Sequence, residues 1–203
     1  MKLYFVRHGE SEANIQHVIS NRESPFGLTE LGKVQAKALA ENLIDTPITA
    51  IFSSPVLRAR ETAEILSQSF HLSYQITEAL REYDCGILED KFDEESWKLH
   101  GQIAEDWILN HNYLRKPEGG ENFLEIKKRF IAFIESFTHN GLNSQDHILF
   151  VSHGGLLQLM LPEILTNIDH AFVRSHGIGH TQCIIVEQNS NRLICLQWGN
   201  MYL

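Results

Sequence analysis

Basic charge is in short supply in this chain of 203 residues: 17 lysines and arginines stand against 26 aspartates and glutamates, a formal net charge of −9 at pH 7. General nucleic-acid or membrane-surface binders neutralise phosphate charge with a basic face, so this balance argues against both. A small anionic ligand remains compatible, because charge is screened over about 8 Å at physiological salt and a few arginines clustered in a cleft dominate locally. Cysteine is scarce too. Cys85, Cys183 and Cys195 make an odd count with no Cys-x-x-Cys pair, and charges run through residues 1–20 where a signal peptide would be apolar. Reduced thiols and a cytoplasmic location are the expectation. No apolar run approaches the roughly 18 residues that span a bilayer. Low-complexity tracts and internal repeats are missing, and there are only five prolines. With 43% hydrophobic and 21% charged residues, the composition is that of an ordinary globular chain, and its length suits one domain spanning 1–203 better than two.

Short apolar runs at residues 3–6, 48–52 and 148–151 predict fully buried strands, and 184–187 and 193–197 predict two more. Runs without polar alternation imply a sheet covered on both faces. Helical periodicity occupies 29–43, 56–70, 123–137 and 156–165. Strands alternating with helices predict an α/β fold, a three-layer α/β/α sandwich with a mostly parallel sheet. Thr29 suits a helix start, Ser54-Pro55 places a capping hydroxyl ahead of a proline, and Asn140-Gly141 suits a helix stop. The stretch from about 83 to 120 breaks the alternation with acids, the aromatics Phe92, Trp97 and Trp107, and a Pro-Glu-Gly-Gly turn. It reads as a helical insertion over the rim of the sheet, serving either as surface elaboration or as a wall that selects substrate.

Four segments end a strand or a turn in groups that act on an oxyanion. Arg7-His8-Gly9-Glu10, followed by Asn14, closes the first apolar run. Arginine offers a rigid fork of donors for phosphate or carboxylate, and histidine serves as nucleophile, base or ligand. Arg58 lies one turn into the helix after the second run, Glu82 follows an extended stretch, and His153-Gly154-Gly155 places glycines between a strand and a helix, where free N–H groups favour an anion. Each has a plainer account: Arg58 or Arg60 as a solvated face charge, Glu82 as the partner of Arg81 or a lysine, His153 as a core histidine. Two His-Gly pairs at strand ends and an arginine after a third strand converge on one sheet edge, which favours a site.

In these motifs the chain resembles the histidine phosphatase superfamily, which contains cofactor-dependent phosphoglycerate mutases and their phosphatase relatives. The match runs through Leu28-Thr29-Glu30-Leu31-Gly32, Gln35-Ala36, 53–63, Leu80-Arg81-Glu82 with Gly86 and Glu89, Gly119-Gly120-Glu121 with Arg129, and Ser152-His153-Gly154-Gly155. The resemblance implies a metal-independent phosphatase with no cofactor, acting on a small phosphomonoester. His8 is then the nucleophile, forming a phosphohistidine. Arg7, Arg58 and His153 hold the phosphoryl oxygens, with Asn14 and Gly154 in the substrate site, and Glu82 protonates the leaving oxygen. Burial would raise the Glu82 pKa and nearby arginines would lower it, a balance open at this level.

The chain departs from the family pattern in places. Ser20-Asn21 stands where relatives often carry Gln or Thr followed by Gly, so Ser20 is carried over only as a shorter-reaching phosphate ligand. Leu88-Glu89-Asp90 replaces the usual Trp-Glu-Gly, and Gly179-His180-Thr181 has His where many relatives have Asn. Substrate identity is thereby left open. Lys98, Arg115 and Lys116 are either solvated charges or a second anion site. Phosphoglycerate mutase-type transfer and non-catalytic binding of a phosphometabolite are the rival functions; the absence of a tail beyond Leu203 and the presence of His8, Glu82 and His153 favour hydrolysis. The 11 histidines include His176-x3-His180, a metal-compatible spacing without further ligands, and Cys85 lacks the arginine-closed loop of a cysteine phosphatase. A monomer or homodimer with neither nucleic-acid nor membrane partners is expected.

Overall fold

A computed structural model describes residues 1–22, 25–138, 145–190 and 192–203. The Asn140-Gly141 helix stop lies outside the described residues. Seven strands form one sheet: β1 (Lys2–Arg7), β2 (Ala50–Ser53), β3 (Tyr74–Ile76), β4 (His147–Ser152), β5 (Cys183–Asn189), β6 (Arg192–Trp198) and β7 (Met201–Tyr202). Their order is β3-β2-β4-β1-β5-β6-β7, with β3, β2, β4 and β1 parallel and β5, β6 and β7 added antiparallel. All five expected strands are present. The two not anticipated, β3 and β7, are short edge strands with half-buried or exposed residues and so carry no buried-strand pattern.

Side-chain alternation along the central strands divides the core into two layers. Leu3 and Phe5 of β1 and Ile148 and Phe150 of β4 pack on one face with α4 (Glu94–Leu109), α5 (Phe123–Thr138) and α6 (Gly154–Met160). Tyr4, Val6, Leu149 and Val151 face the other way, against α2 (Glu30–Asn42) and α3 (Leu57–Phe70). Two short helices, α1 (Glu12–Ile15) and α7 (His170–Ser175), complete the set. The sheet between helices is the expected α/β/α layering, mostly parallel in its core.

Helix ends follow local chemistry. Thr29 Oγ1 accepts from Gly32 N–H at 3.0 Å and starts α2. Ser54 Oγ accepts from Val56 N–H at 3.2 Å, but α3 begins only at Leu57, so this serine closes a turn ahead of the helix instead of capping it. The helix expected over 156–165 ends earlier, at Met160, and continues as a 3₁₀ turn, Leu161–Glu163, because Pro162 removes an N–H from the ladder.

The 83–120 stretch forms a 3₁₀ turn, Gly86–Leu88, and then α4, whose N-terminus is capped by Asp93 accepting from Ser96 N–H. It is anchored by Trp107, which has no exposed surface and donates from Nε1 to the Arg115 carbonyl at 2.7 Å. Replacing Trp107 by alanine is expected to destabilise the fold by about 3–5 kcal/mol, the cost of an unfilled large cavity plus an orphaned carbonyl. Urea denaturation followed by circular dichroism reads this as a lower midpoint at unchanged slope.

Candidate active site

Parallel pairing brings the carboxyl ends of β1, β4 and β2 to one edge, where Arg7 lies opposite Ser152 and Ser53 opposite Val151. The residues immediately beyond these ends are His8, His153 and Ser54. The expected convergence of the two His-Gly pairs is met: the His8 and His153 rings lie 5.1 Å apart. The backbone at Gly9 runs so close to α2 that a Cβ there would come within 2.5 Å of the Gly32 carbonyl oxygen. Only glycine lets the chain turn from β1 there while delivering His8 to the edge.

His8 is buried, and its two ring nitrogens have distinct partners. Nδ1 donates to the Gly9 carbonyl at 2.7 Å, and Nε2 accepts from Arg58 Nε at 2.9 Å. This pattern assigns the proton to Nδ1 and leaves the lone pair on Nε2. Burial first, then the Arg58 charge, holds the His8 pKa well below the usual imidazole value, so the ring is neutral at pH 7. Arg58 is buried as well, with Nη1 donating to the Ser20 carbonyl at 2.6 Å and Nη2 to Asn21 Oδ1 at 3.4 Å. Desolvation lowers its pKa to about 10, which keeps it charged. Arg60, the alternative on the same helix, is exposed.

Arg7 donates from Nη1 to the Ile178 carbonyl at 2.7 Å, and its Nη2 lies 3.1 Å from His180 Nε2. The same His180 nitrogen lies 3.1 Å from Asn14 Oδ1, an oxygen that accepts from the Ser11 N–H and hydroxyl. Burial and Arg7 push the His180 pKa down to about 4, so the neutral ring accepts from Arg7. His153 is neutral for the same reason as His8, burial foremost, and its Nε2 pairs with Ser54 Oγ at 2.7 Å. Among the described residues, three buried side-chain atoms have no hydrogen-bond partner: Arg7 Nε, Ser20 Oγ and His153 Nδ1. All belong to residues singled out from sequence. Buried polar atoms are otherwise nearly always paired, so a cluster of orphans around one histidine marks a place for an anion.

Glu82 comes to the same edge, buried, and pairs with neither Arg81 nor a lysine. Arg81 bonds Glu78 instead. Glu82 Oε2 accepts from Gly155 N–H at 2.9 Å and Oε1 from Tyr83 N–H at 3.2 Å, and the nearby Leu156 amide also favours the carboxylate. This corrects one expectation in part, since the Gly155 amide at the start of α6 serves the Glu82 carboxyl and is not free for a substrate anion. Gly154 lines the pocket, where a Cβ would sit 3.2 Å from Arg7 Nε. The open electrostatic balance at Glu82 resolves in favour of burial, which raises its pKa against the three amides and Arg58.

Arg7, His8, Asn14, Ser20, Arg58, Glu82 and Gly154 line a pocket of about 200 Å³, while His153 stands beside His8 outside that lining. Asn21 was noted in the sequence as a departure from a pattern, and His180 as a departure and as half of a metal-compatible spacing, yet Asn21 braces Arg58 and His180 braces Arg7. Their signal was position: Asn21 follows Ser20, and His180 precedes β5, which runs beside β1 and ties Thr181 N–H to the Arg7 carbonyl at 3.0 Å. His176 is not its companion, because its Nδ1 donates to the Phe172 carbonyl. Among the described residues no three His, Cys, Asp or Glu side chains assemble with metal-binding geometry, and no helix is long and apolar enough to cross a membrane. Cys85, Cys183 and Cys195 are buried free thiols.

Comparison with known proteins gives this geometry its relatives. The family model described as "Histidine phosphatase superfamily (branch 1)" matches residues 3–201. The adenosylcobalamin/alpha-ribazole phosphatase of Salmonella typhimurium is 31% identical over 82% of this chain and 80% of its own. A Proteus mirabilis protein named "Probable phosphoglycerate mutase GpmB" is 33% identical over 81% of this chain and 75% of its own. Among solved structures, Bacillus stearothermophilus YhfR superimposes with a TM-score of 0.82 at 27% identity, covering 98% of this chain and 97% of that one. A mycobacterial glucosyl-3-phosphoglycerate phosphatase shares the fold, with a TM-score of 0.83 at 22% identity over 98% and 99% of the two chains. The phosphatase names among these relatives support a phosphoric monoester hydrolase. From the match along nearly its whole length, the chain belongs to the histidine phosphatase superfamily, branch 1.

Proposed function

We propose that the protein is a metal-independent phosphatase that hydrolyses a small phosphomonoester through a phosphohistidine on His8. The observation that carries this reading is the state of His8: buried, neutral, with Nδ1–H committed to the Gly9 carbonyl and the Nε2 lone pair turned to Arg58. An imidazole held this way is a nucleophile at one defined atom.

In the first step the Nε2 lone pair gives up its hydrogen bond from Arg58 Nε and attacks phosphorus, the ester P–O bond breaks, and its electron pair leaves on the alcohol oxygen, which takes the Glu82 proton. Arg58, Arg7 and His153 hold the three remaining oxygens, with Ser20 Oγ and Asn14 at the pocket wall, so the charge that spreads over the phosphoryl group meets fixed donors. The Gly9 carbonyl steadies the positive charge that develops on the ring. In the second step water attacks phosphorus, Glu82 as carboxylate takes the water proton, and the P–N pair returns to Nε2. A raised Glu82 pKa suits both duties, because the group holds a proton for the first step and accepts one in the second.

Brief incubation with a phosphomonoester labelled on phosphorus, followed by quenching, is expected to leave label on the protein that is stable to alkali, labile to acid and mapped to the peptide containing His8. Substrate that binds and leaves without labelling His8 would instead make the chain a binding protein.

A further inference from the structure

Beyond the phosphate end, the pocket changes character. Its lining there includes the apolar Ala13, Val18 and Ile19 and an aromatic wall formed by Tyr83, Trp97 and His100. The aromatic wall is preorganised. Trp97 Nε1 donates to the His17 carbonyl at 2.6 Å, which fixes the indole while 38% of the residue stays exposed. Its ring meets His100 edge-on, with centroids 5.2 Å apart, and His100 stacks on Tyr83 at 5.5 Å with 17° between planes. The Tyr83 hydroxyl and His100 Nε2 pair at 2.8 Å, so their polar ends satisfy each other and flat faces remain. Burial lowers the His100 pKa, which keeps that ring neutral.

Cations are confined to the phosphate end. Among the described residues the arginines or lysines lining the pocket are Arg7 and Arg58. Arg58 commits three of its five N–H groups to His8, Ser20 and Asn21, and Arg7 two of its five to Ile178 and His180; the donors that remain, Arg7 Nε among them, are those that hold the phosphate. The basic residues of the insertion are elsewhere: Arg115 pairs with Asp106, Lys116 with Glu125, and Lys98 is exposed on α4 outside the lining. Arg22, beside the pocket loop, pairs with Asp84. A second anionic group on the substrate would therefore meet no cation, only the neutral Gln158 amide among apolar and aromatic surface, inside a chain of net charge −9.

We infer that the substrates are monophosphate esters of uncharged alcohols that carry a flat, apolar or aromatic group close to the ester oxygen, and that the Trp97–His100–Tyr83 wall selects them against esters bearing a second anion. This rests on the phosphatase reading above and names the substrate class of that same pocket. It also disfavours phosphoglycerates, whose carboxylate finds no cation here.

Two matched pairs of alkyl esters isolate the effect, since leaving-group basicity barely differs within each. Benzyl phosphate should exceed propyl phosphate by about tenfold in kcat/KM, mainly through KM, and glycerol 3-phosphate should exceed 3-phosphoglycerate by about tenfold or more. Trp97→Ala should lower kcat/KM for benzyl phosphate about tenfold more than for propyl phosphate, whereas Trp97→Phe, which keeps a flat ring, should retain most of the preference. Binding of benzylphosphonate against propylphosphonate, measured by calorimetry, reads the same wall without turnover. Equal handling of ring and chain by both readouts, or 3-phosphoglycerate matching glycerol 3-phosphate, overturns the substrate class. Ring-selective phosphonate binding without phosphate release from any ester keeps the selectivity and overturns the hydrolysis.

Discussion

Replacing His8 by alanine should lower phosphate release from an alkyl phosphomonoester by at least about a thousandfold and remove acid-labile labelling altogether. The size follows from what the other groups can do without it. Arg7, Arg58 and His153 would still bind phosphate, and Glu82 would still carry a proton, but water would have to replace a nucleophile held at 2.9 Å from Arg58 Nε. The substitution should leave the fold standing. His8 sits in the pocket beyond β1, outside both hydrophobic clusters, so its removal leaves the packing of the core in place. Near-identical circular dichroism and thermal melting, together with preserved binding of inorganic phosphate, separate loss of chemistry from loss of structure. Retention of most phosphate release by this variant would sink the covalent mechanism.

The difference between His8 and Glu82 shows how much of this site a sequence reveals. His8 was legible because its surroundings are local: an apolar strand, a glycine that turns the chain, and an arginine adjacent in sequence. The same holds for His153 after β4. Sheet order was not local, but parallel strands followed by helices have few arrangements, and all of them bring strand carboxyl ends together. The short edge strands β3 and β7 escaped because a half-exposed segment of three or two residues has neither a buried run nor a measurable period. The bracing residues escaped for a different reason. Asn21 reaches Arg58 across 37 positions and His180 reaches Arg7 across 173, so their partners exist only once the chain has folded. The glycines at the start of α6 were expected to offer free amides to an anion, but the Gly155 amide faces Glu82, 73 positions away.

Glu82→Gln should therefore produce the most informative kinetics, because the ionisation of this carboxyl is set by opposing tertiary effects. Desolvation raises its pKa, while the Tyr83, Gly155 and Leu156 amides and Arg58 lower it, and desolvation prevails. The protonated acid consequently persists to higher pH than an exposed carboxyl allows. For an alkyl ester, whose leaving oxygen needs a proton, kcat/KM should fall as pH rises through this elevated pKa. His8 imposes no opposing fall there, since its own pKa lies well below the usual value and its neutral form is present throughout. Glutamine cannot donate that proton, so the variant should lose about 10²–10⁴ in kcat/KM on propyl phosphate and lose the pH-dependent fall with it. A nitrophenyl ester leaves without protonation, and its first step should drop by less than about tenfold. Hydrolysis of the phosphohistidine still lacks its base in the variant, which predicts a burst of nitrophenol followed by slow turnover. Equal losses on both esters, with no burst, would remove Glu82 from proton transfer and leave it only the task of holding the α6 amides.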